Sequence, residues 1–212
     1  MFNLQTLILL VPVILLALSV HEFSHGLVAY RLGDPTAKYA GRLTLNPVSH
    51  LDPIGTLMLF LVHFGWAKPV PVDPRYFTNP KRDMLWVALA GPASNMVLAL
   101  LSGLAIRFIN LNPGLLTSSV IGNSIGVMIV LSLQINLALA VFNLLPVPPL
   151  DGSKILFGLL PPQYEHLAYN LERYGPGILF GLILLGFLTG FSILWAFIGP
   201  FVNFFSLLFA GA

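Results

Sequence analysis

The chain has no cysteine, only 8% charged residues and no run of basic residues in its 212 positions. Without cysteine there is no disulfide, no thiolate nucleophile and no thiolate ligand, so any metal must be held by histidine and carboxylate. So little charge beside 57% hydrophobic residues, with a mean hydropathy of +0.87, excludes a soluble domain, whose surface needs far more polar cover. The sequence pI of about 9.0 reflects a formal net charge of only +2, so nucleic-acid binding is not implied. A basic leader before the first apolar stretch is also missing, which argues against a cleavable signal peptide.

What the chain does have is long apolar runs. Stretches of about 20 apolar residues mark spans near 4–30, 84–109, 120–145 and 177–212. The last is too long for one straight crossing and is interrupted by Gly190 and by Gly199-Pro200, so it is one tilted crossing or two. Between the first two spans, Ile54 to Phe64 is short for a crossing and fits a re-entrant or interfacial piece. The expectation is an all-α polytopic membrane protein with four to five transmembrane helices. A short re-entrant or β-hairpin segment over 41–72 is expected between the first two, and the whole forms one membrane-embedded domain.

Inside the first span stands His21-Glu22-Phe23-Ser24-His25. Each ionisable group near the middle of a spanning helix costs about 2.5–3.5 kcal/mol on insertion scales, so three together require a reason. At about 100° per residue, His21 and His25 lie roughly 40° apart and one turn along the helix, where both imidazoles can bind one ion. Glu22 falls on the flank of that face, within reach of a metal-bound water without being a ligand, as H-E-x-x-H needs if Glu is the general base. From the chain's own His and Glu content the pattern is expected by chance about twice in a thousand such chains.

Charge sets the orientation. The segment between the first two spans carries Arg31, Lys38, Arg42, Lys68, Arg75, Lys81 and Arg82, whereas the next loop has only Arg107 at its edge; the first is therefore expected to be cytoplasmic. His21 and His25 then lie towards the cytoplasmic end of their span, and a third ligand is to be sought at the cytoplasmic end of the third. Asn143-Leu144-Leu145-Pro146-Val147-Pro148-Pro149-Leu150-Asp151-Gly152 lies there, and Asp151 is the only acidic residue between Asp83 and Glu165. The prolines end the helix and let Asp151 turn back towards the bundle. One carboxylate facing two imidazoles completes a three-ligand site with a fourth position open for water.

These elements, together with Gly41-Arg42-Leu43-Thr44-Leu45-Asn46-Pro47, Trp66-Ala67-Lys68-Pro69-Val70-Pro71-Val72 and Ala90-Gly91-Pro92-Ala93-Ser94-Asn95, make a chain that resembles the site-2 proteases, intramembrane zinc metalloproteases that cut transmembrane segments of their substrates. The resemblance implies one zinc ion on His21, His25 and Asp151, and Glu22 as catalytic base. It implies transmembrane protein substrates in a lipid bilayer and a multi-pass protein of a prokaryotic cell membrane with its active site towards the cytoplasm. A minimal form is expected, without an appended PDZ or CBS domain.

Other polar residues are read with an alternative beside each. Asn95 and Asn143 either hold substrate backbone or an oxyanion, or bond helix to helix. Leu43-Thr44-Leu45 and Val70-Pro71-Val72 are the segments best suited to be strands that offer an edge to an unwound substrate, or else a loop packed on the bundle. His50 is expected to anchor its loop, and His63 is a weaker candidate still. A non-proteolytic zinc-binding membrane protein would have no use for Glu22, and an ion transporter usually shows inverted repeats, of which none is evident.

Overall fold

The computed structural model describes residues 4–62, 65–112, 114–116 and 119–211. Among the described residues eight α-helices follow one another: α1 (Leu4–Arg31), α2 (Thr36–Tyr39), α3 (Pro53–Val62), α4 (Pro80–Leu111), α5 (Val120–Asn143), α6 (Asp151–Leu159), α7 (Glu165–Thr189) and α8 (Ile193–Ala210). Five of them, α1, α4, α5, α7 and α8, are long and apolar enough to cross a membrane.

Local chemistry places the boundaries. Pro80 opens α4, where a missing N–H costs nothing, and Asp83 in its first turn accepts the Asn79 N–H at 3.0 Å. Ser119 and Ser192 cap α5 and α8 through the N–H groups of Gly122 and Trp195, each cap contributing about 1 kcal/mol. Gly190, at φ 71°, ends α7 in the left-handed conformation that glycine adopts without strain.

The long final run is thus two helices, divided at Gly190, while Gly199-Pro200 lies inside α8. α7 also begins at Glu165, twelve residues before the apolar run suggests. Its first turns carry Glu165, His166, Glu172 and Arg173, which mask a helix that continues out of the apolar layer.

α4 is the hub. It packs against α1, α5, α6 and α8, while α1 also meets α5, and α7 leans on α8. The main core joins Ala99 of α4, Leu133 and Leu137 of α5 and Ile198, Val202 and Ala210 of α8. At the far end Arg107 donates from Nε to the Phe209 carbonyl at 2.7 Å and from Nη2 to that of Leu208, a cation at the negative end of the α8 dipole.

The 41–72 region corrects one expectation. Among the described residues there is no β-strand, only an isolated bridge between Leu51 and Ala67, so neither Leu43-Thr44-Leu45 nor Val70-Pro71-Val72 is a strand of a hairpin. Pro69 and Pro71 remove the ladder N–H groups a strand would need. The short apolar piece is the ten-residue helix α3. His50 is buried and its Nε2 bonds the Thr44 carbonyl at 2.8 Å, an anchor within this loop, while His63 lies outside the described residues.

Candidate metal centre

Three elements converge on one point. His21 and His25 come from α1, Asp151 from the first turn of α6, and the backing is supplied by α4. The two Nε2 atoms are 3.0 Å apart, and each is 3.2 Å from Asp151 Oδ2. All three residues are nearly excluded from solvent, at 5%, 8% and 7% exposure.

Tautomers follow from the outer partners. Asn95 donates through Nδ2 to the Ala17 carbonyl at 3.2 Å and to Asn136 Oδ1 at 2.8 Å, which leaves its Oδ1 to accept from His21 Nδ1 at 2.6 Å. His25 Nδ1 donates to the Val87 carbonyl at 2.7 Å. With both Nδ1 positions carrying protons, both Nε2 atoms present lone pairs to the carboxylate.

Three acceptors facing one another in a buried site, with Asp151 Oδ2 lacking any hydrogen-bond donor, repel unless a cation sits among them. A tetrahedral ion with bonds of about 2.0–2.1 Å has ligand-to-ligand edges of about 3.3 Å, close to the 3.0–3.2 Å seen. The donor set therefore fits a metal ion such as zinc.

Position in sequence explains how this is built. Val87, Gly91 and Asn95 are spaced four apart on α4, so they form one stripe facing α1. The outer two receive the Nδ1 protons, and Gly91 leaves room for the rings between them: a Cβ there would overlap His25 Nε2 and stand 2.6 Å from His21 Nε2. On the other side, Gly152 lets α6 start against the end of α5, since a Cβ there would overlap the carbonyls of Leu144 and Leu145. That close start is what returns Asp151 to the bundle.

Matches to known proteins give the family. A profile of Peptidase family M50 matches residues 114–185. Over 188 residues the chain is 39% identical to the Bacillus subtilis protein named "Putative zinc metalloprotease YwhC", covering 88% of this chain and 84% of that one. The chain belongs to peptidase family M50. Other M50 relatives are the proteins named "Putative zinc metalloprotease Rip2" from Mycolicibacterium smegmatis, 33% identical over 76% of this chain, and from Mycobacterium tuberculosis, 32% identical over 83%. This M50 chain spans 61% and 66% of those two longer proteins. No solved structure matches it.

Of the remaining sequence candidates, Glu22 is half-buried beside the ligands, and its Oε2 accepts the Val70 N–H at 2.8 Å. Asn95 is fully buried and spends its donors and its acceptor on Ala17, Asn136 and His21. Asn143 donates to the Leu139 carbonyl of its own helix at 3.0 Å and does not join the His21–Asn95–Asn136 chain. Asn136 and the Val87 carbonyl were not singled out from sequence, and Gly91 and Gly152 entered only as members of the Ala90–Asn95 and Asn143–Gly152 motifs, with no role assigned to either. For Gly91 its place one turn before Asn95 on the same face adds the signal for a packing role.

The role of Asn95 is measurable. Asn95→Ala is expected to weaken zinc affinity by about ten- to a hundredfold, the usual cost of removing an outer partner of a metal-bound histidine, and Asn95→Asp, which keeps an acceptor for Nδ1, by less. Metal content across buffered free-zinc concentrations reads both; equal retention in Asn95→Ala would remove Asn95 from the centre.

Proposed function

We propose that this chain is a zinc-dependent intramembrane endopeptidase that cuts transmembrane segments of other membrane proteins, with His21, His25 and Asp151 holding one zinc ion and Glu22 acting as general base. The observation that carries the reading is the convergence of three lone-pair atoms at 3.0–3.2 Å, next to a carboxylate, within a bundle of five helices apolar enough to cross a membrane. The names of the M50 relatives support zinc as the ion. Bound there, zinc supplies Lewis acidity that polarises a carbonyl and brings the deprotonation of water to about neutral pH.

The chain's own groups do the rest. Glu22 takes the proton of the attacking water on a lone pair not used by Val70 and delivers it to the amide nitrogen as the C–N bond breaks, so the carboxylate ends as it began. Asn95 and the Val87 carbonyl hold both imidazoles in the tautomer that faces the ion. A helical substrate hides its carbonyls in i to i−4 bonds, so segments with helix-weakening residues are the favoured ones. A direct substrate contact by Asn143 is part of the proposal; Asn95 acts through His21.

Orientation follows from the same charges. Five crossings with the Arg31–Arg82 segment inside put the amino terminus outside and the carboxyl terminus in the cytoplasm. The absence of native cysteine makes this simple to check: a cysteine placed at Asn112 should react with an impermeant thiol reagent in intact cells, and one at Lys38 only after permeabilisation. The opposite pattern would invert the topology.

The activity itself is tested with the full chain in liposomes beside a membrane protein carrying a Gly- or Asn-rich span. Cleavage within the span, lost by about a hundredfold or more on chelation and restored by zinc, is the expected result. Cuts only outside the span, or unchanged cleavage after the metal is stripped, would refute it.

A further inference from the structure

Arg42 is a buried guanidinium, 8% exposed, and no carboxylate pairs with it among the described residues. Its Nη2 donates to the Lys68 carbonyl and, more loosely at 3.4 Å, to that of Pro69, while Nε has no partner. A cation out of water with only neutral acceptors is costly, so its counter-charge must act through something else.

The Pro69–Val70 peptide is that connection. In a planar trans peptide the C=O and the following N–H point in opposite directions. The Pro69 C=O faces Arg42, so the Val70 N–H points the other way, and there it meets Glu22 Oε2 at 2.8 Å. One peptide dipole lies between a cation at its oxygen end and an anion at its hydrogen end, the favourable order for both charges.

The surroundings restrict every other arrangement of this plane. Lys68 and Val70 each precede a proline, which holds both extended. Gly26, one turn after Glu22 on α1, lets the segment close on the helix: a Cβ there would stand 3.2 Å from Val70 Cγ1 and 3.3 Å from the Ala37 methyl.

We infer that Arg42 is a positioning residue for Glu22, acting through the Pro69–Val70 peptide, so that the carboxylate keeps one rotamer with a free lone pair turned to the reacting water. This rests on the reading of Glu22 as the base. It assigns a catalytic purpose to a basic residue some twenty positions from the H-E-x-x-H motif and to a loop otherwise read as packing.

Val70 is flanked by two residues that have no amide hydrogen, and its own N–H is followed as a single cross-peak in protein labelled with 15N-valine, assigned by its disappearance in Val70→Pro. In the full-length protein in nanodiscs this amide should exchange slowly, and about tenfold or more faster in both Glu22→Ala and Arg42→Ala, with zinc content within about twofold of wild type. In cleavage assays Arg42→Ala and Val70→Pro should each lower kcat about tenfold with KM little changed. The double variant should fall no more than about twofold below the weaker single one, whereas independent effects would multiply to about a hundredfold. Multiplying losses, or an amide that exchanges alike in wild type and Arg42→Ala, would overturn the inference. If the amide is released as expected but Glu22→Gln cleaves like wild type, the bridge stands and Glu22 as base is what fails.

Discussion

Glu22→Gln is expected to lower cleavage by about 10²–10⁴-fold, the span of general base catalysis, while bound zinc stays at the wild-type level. The substitution suits the site because it changes basicity and little else. The amide oxygen can still accept the Val70 N–H that now meets Glu22 Oε2 at 2.8 Å, and no ligand of the candidate centre is touched, since His21, His25 and Asp151 supply it. A variant that binds zinc and does not cut therefore separates chemistry from metal binding. The rival readings predict otherwise: a non-proteolytic zinc protein would show no cleavage in either form, and a transporter would move ions in both. Unchanged cleavage in Glu22→Gln would move the base elsewhere.

The residues of the candidate centre stood out in the sequence because membrane burial makes polar residues expensive. In an apolar run, His21, Glu22 and His25 cannot be surface decoration, and Asp151 stands alone between Asp83 and Glu165. The spans of α1, α4 and α5 were legible for the same reason, whereas α7 and α8 were read as one run that left one crossing or two open, and the short helices α2 and α6 were not expected. The first turns of α7 are polar, so hydropathy gives its start at 177 where the helix begins at Glu165. Nor does composition distinguish the Gly190 that ends a helix from the Gly199 that lies within one; that depends on a positive φ. The 41–72 segment reads as β from its alternating Val and Pro, yet its backbone groups are taken by side chains and single contacts: Val70 N–H by Glu22, the carbonyls of Lys68 and Pro69 by Arg42, the carbonyl of Thr44 by His50. Contacts made by backbone atoms leave no residue type to read, which is also why the Val87 carbonyl escaped notice.

Gly91→Ala carries the second large effect, and its sign runs against local expectation. In a helix interior alanine is favoured over glycine by about 1 kcal/mol, so on propensity alone α4 should gain. The added methyl, however, would overlap His25 Nε2 and stand 2.6 Å from His21 Cε1 and Nε2. Neither ring can step aside, because each is tied by Nδ1 to the same helix on either side of Gly91, His25 to Val87 and His21 to Asn95. Relief requires breaking one of those bonds or separating α1 from α4, at about 1–3 kcal/mol for overpacking and with the two imidazoles displaced from Asp151. Zinc affinity is expected to fall by up to about a hundredfold, with cleavage lost in step. Gly103→Ala is the control: its Cβ would press on the backbone and Cβ of Phe209 in α8, away from the ligands. It should therefore lower thermal stability to a similar degree while leaving zinc bound. Elemental analysis and melting curves on both variants decide the matter, and a Gly91→Ala protein that holds zinc as wild type does would mean that α4 is not the wall of this centre.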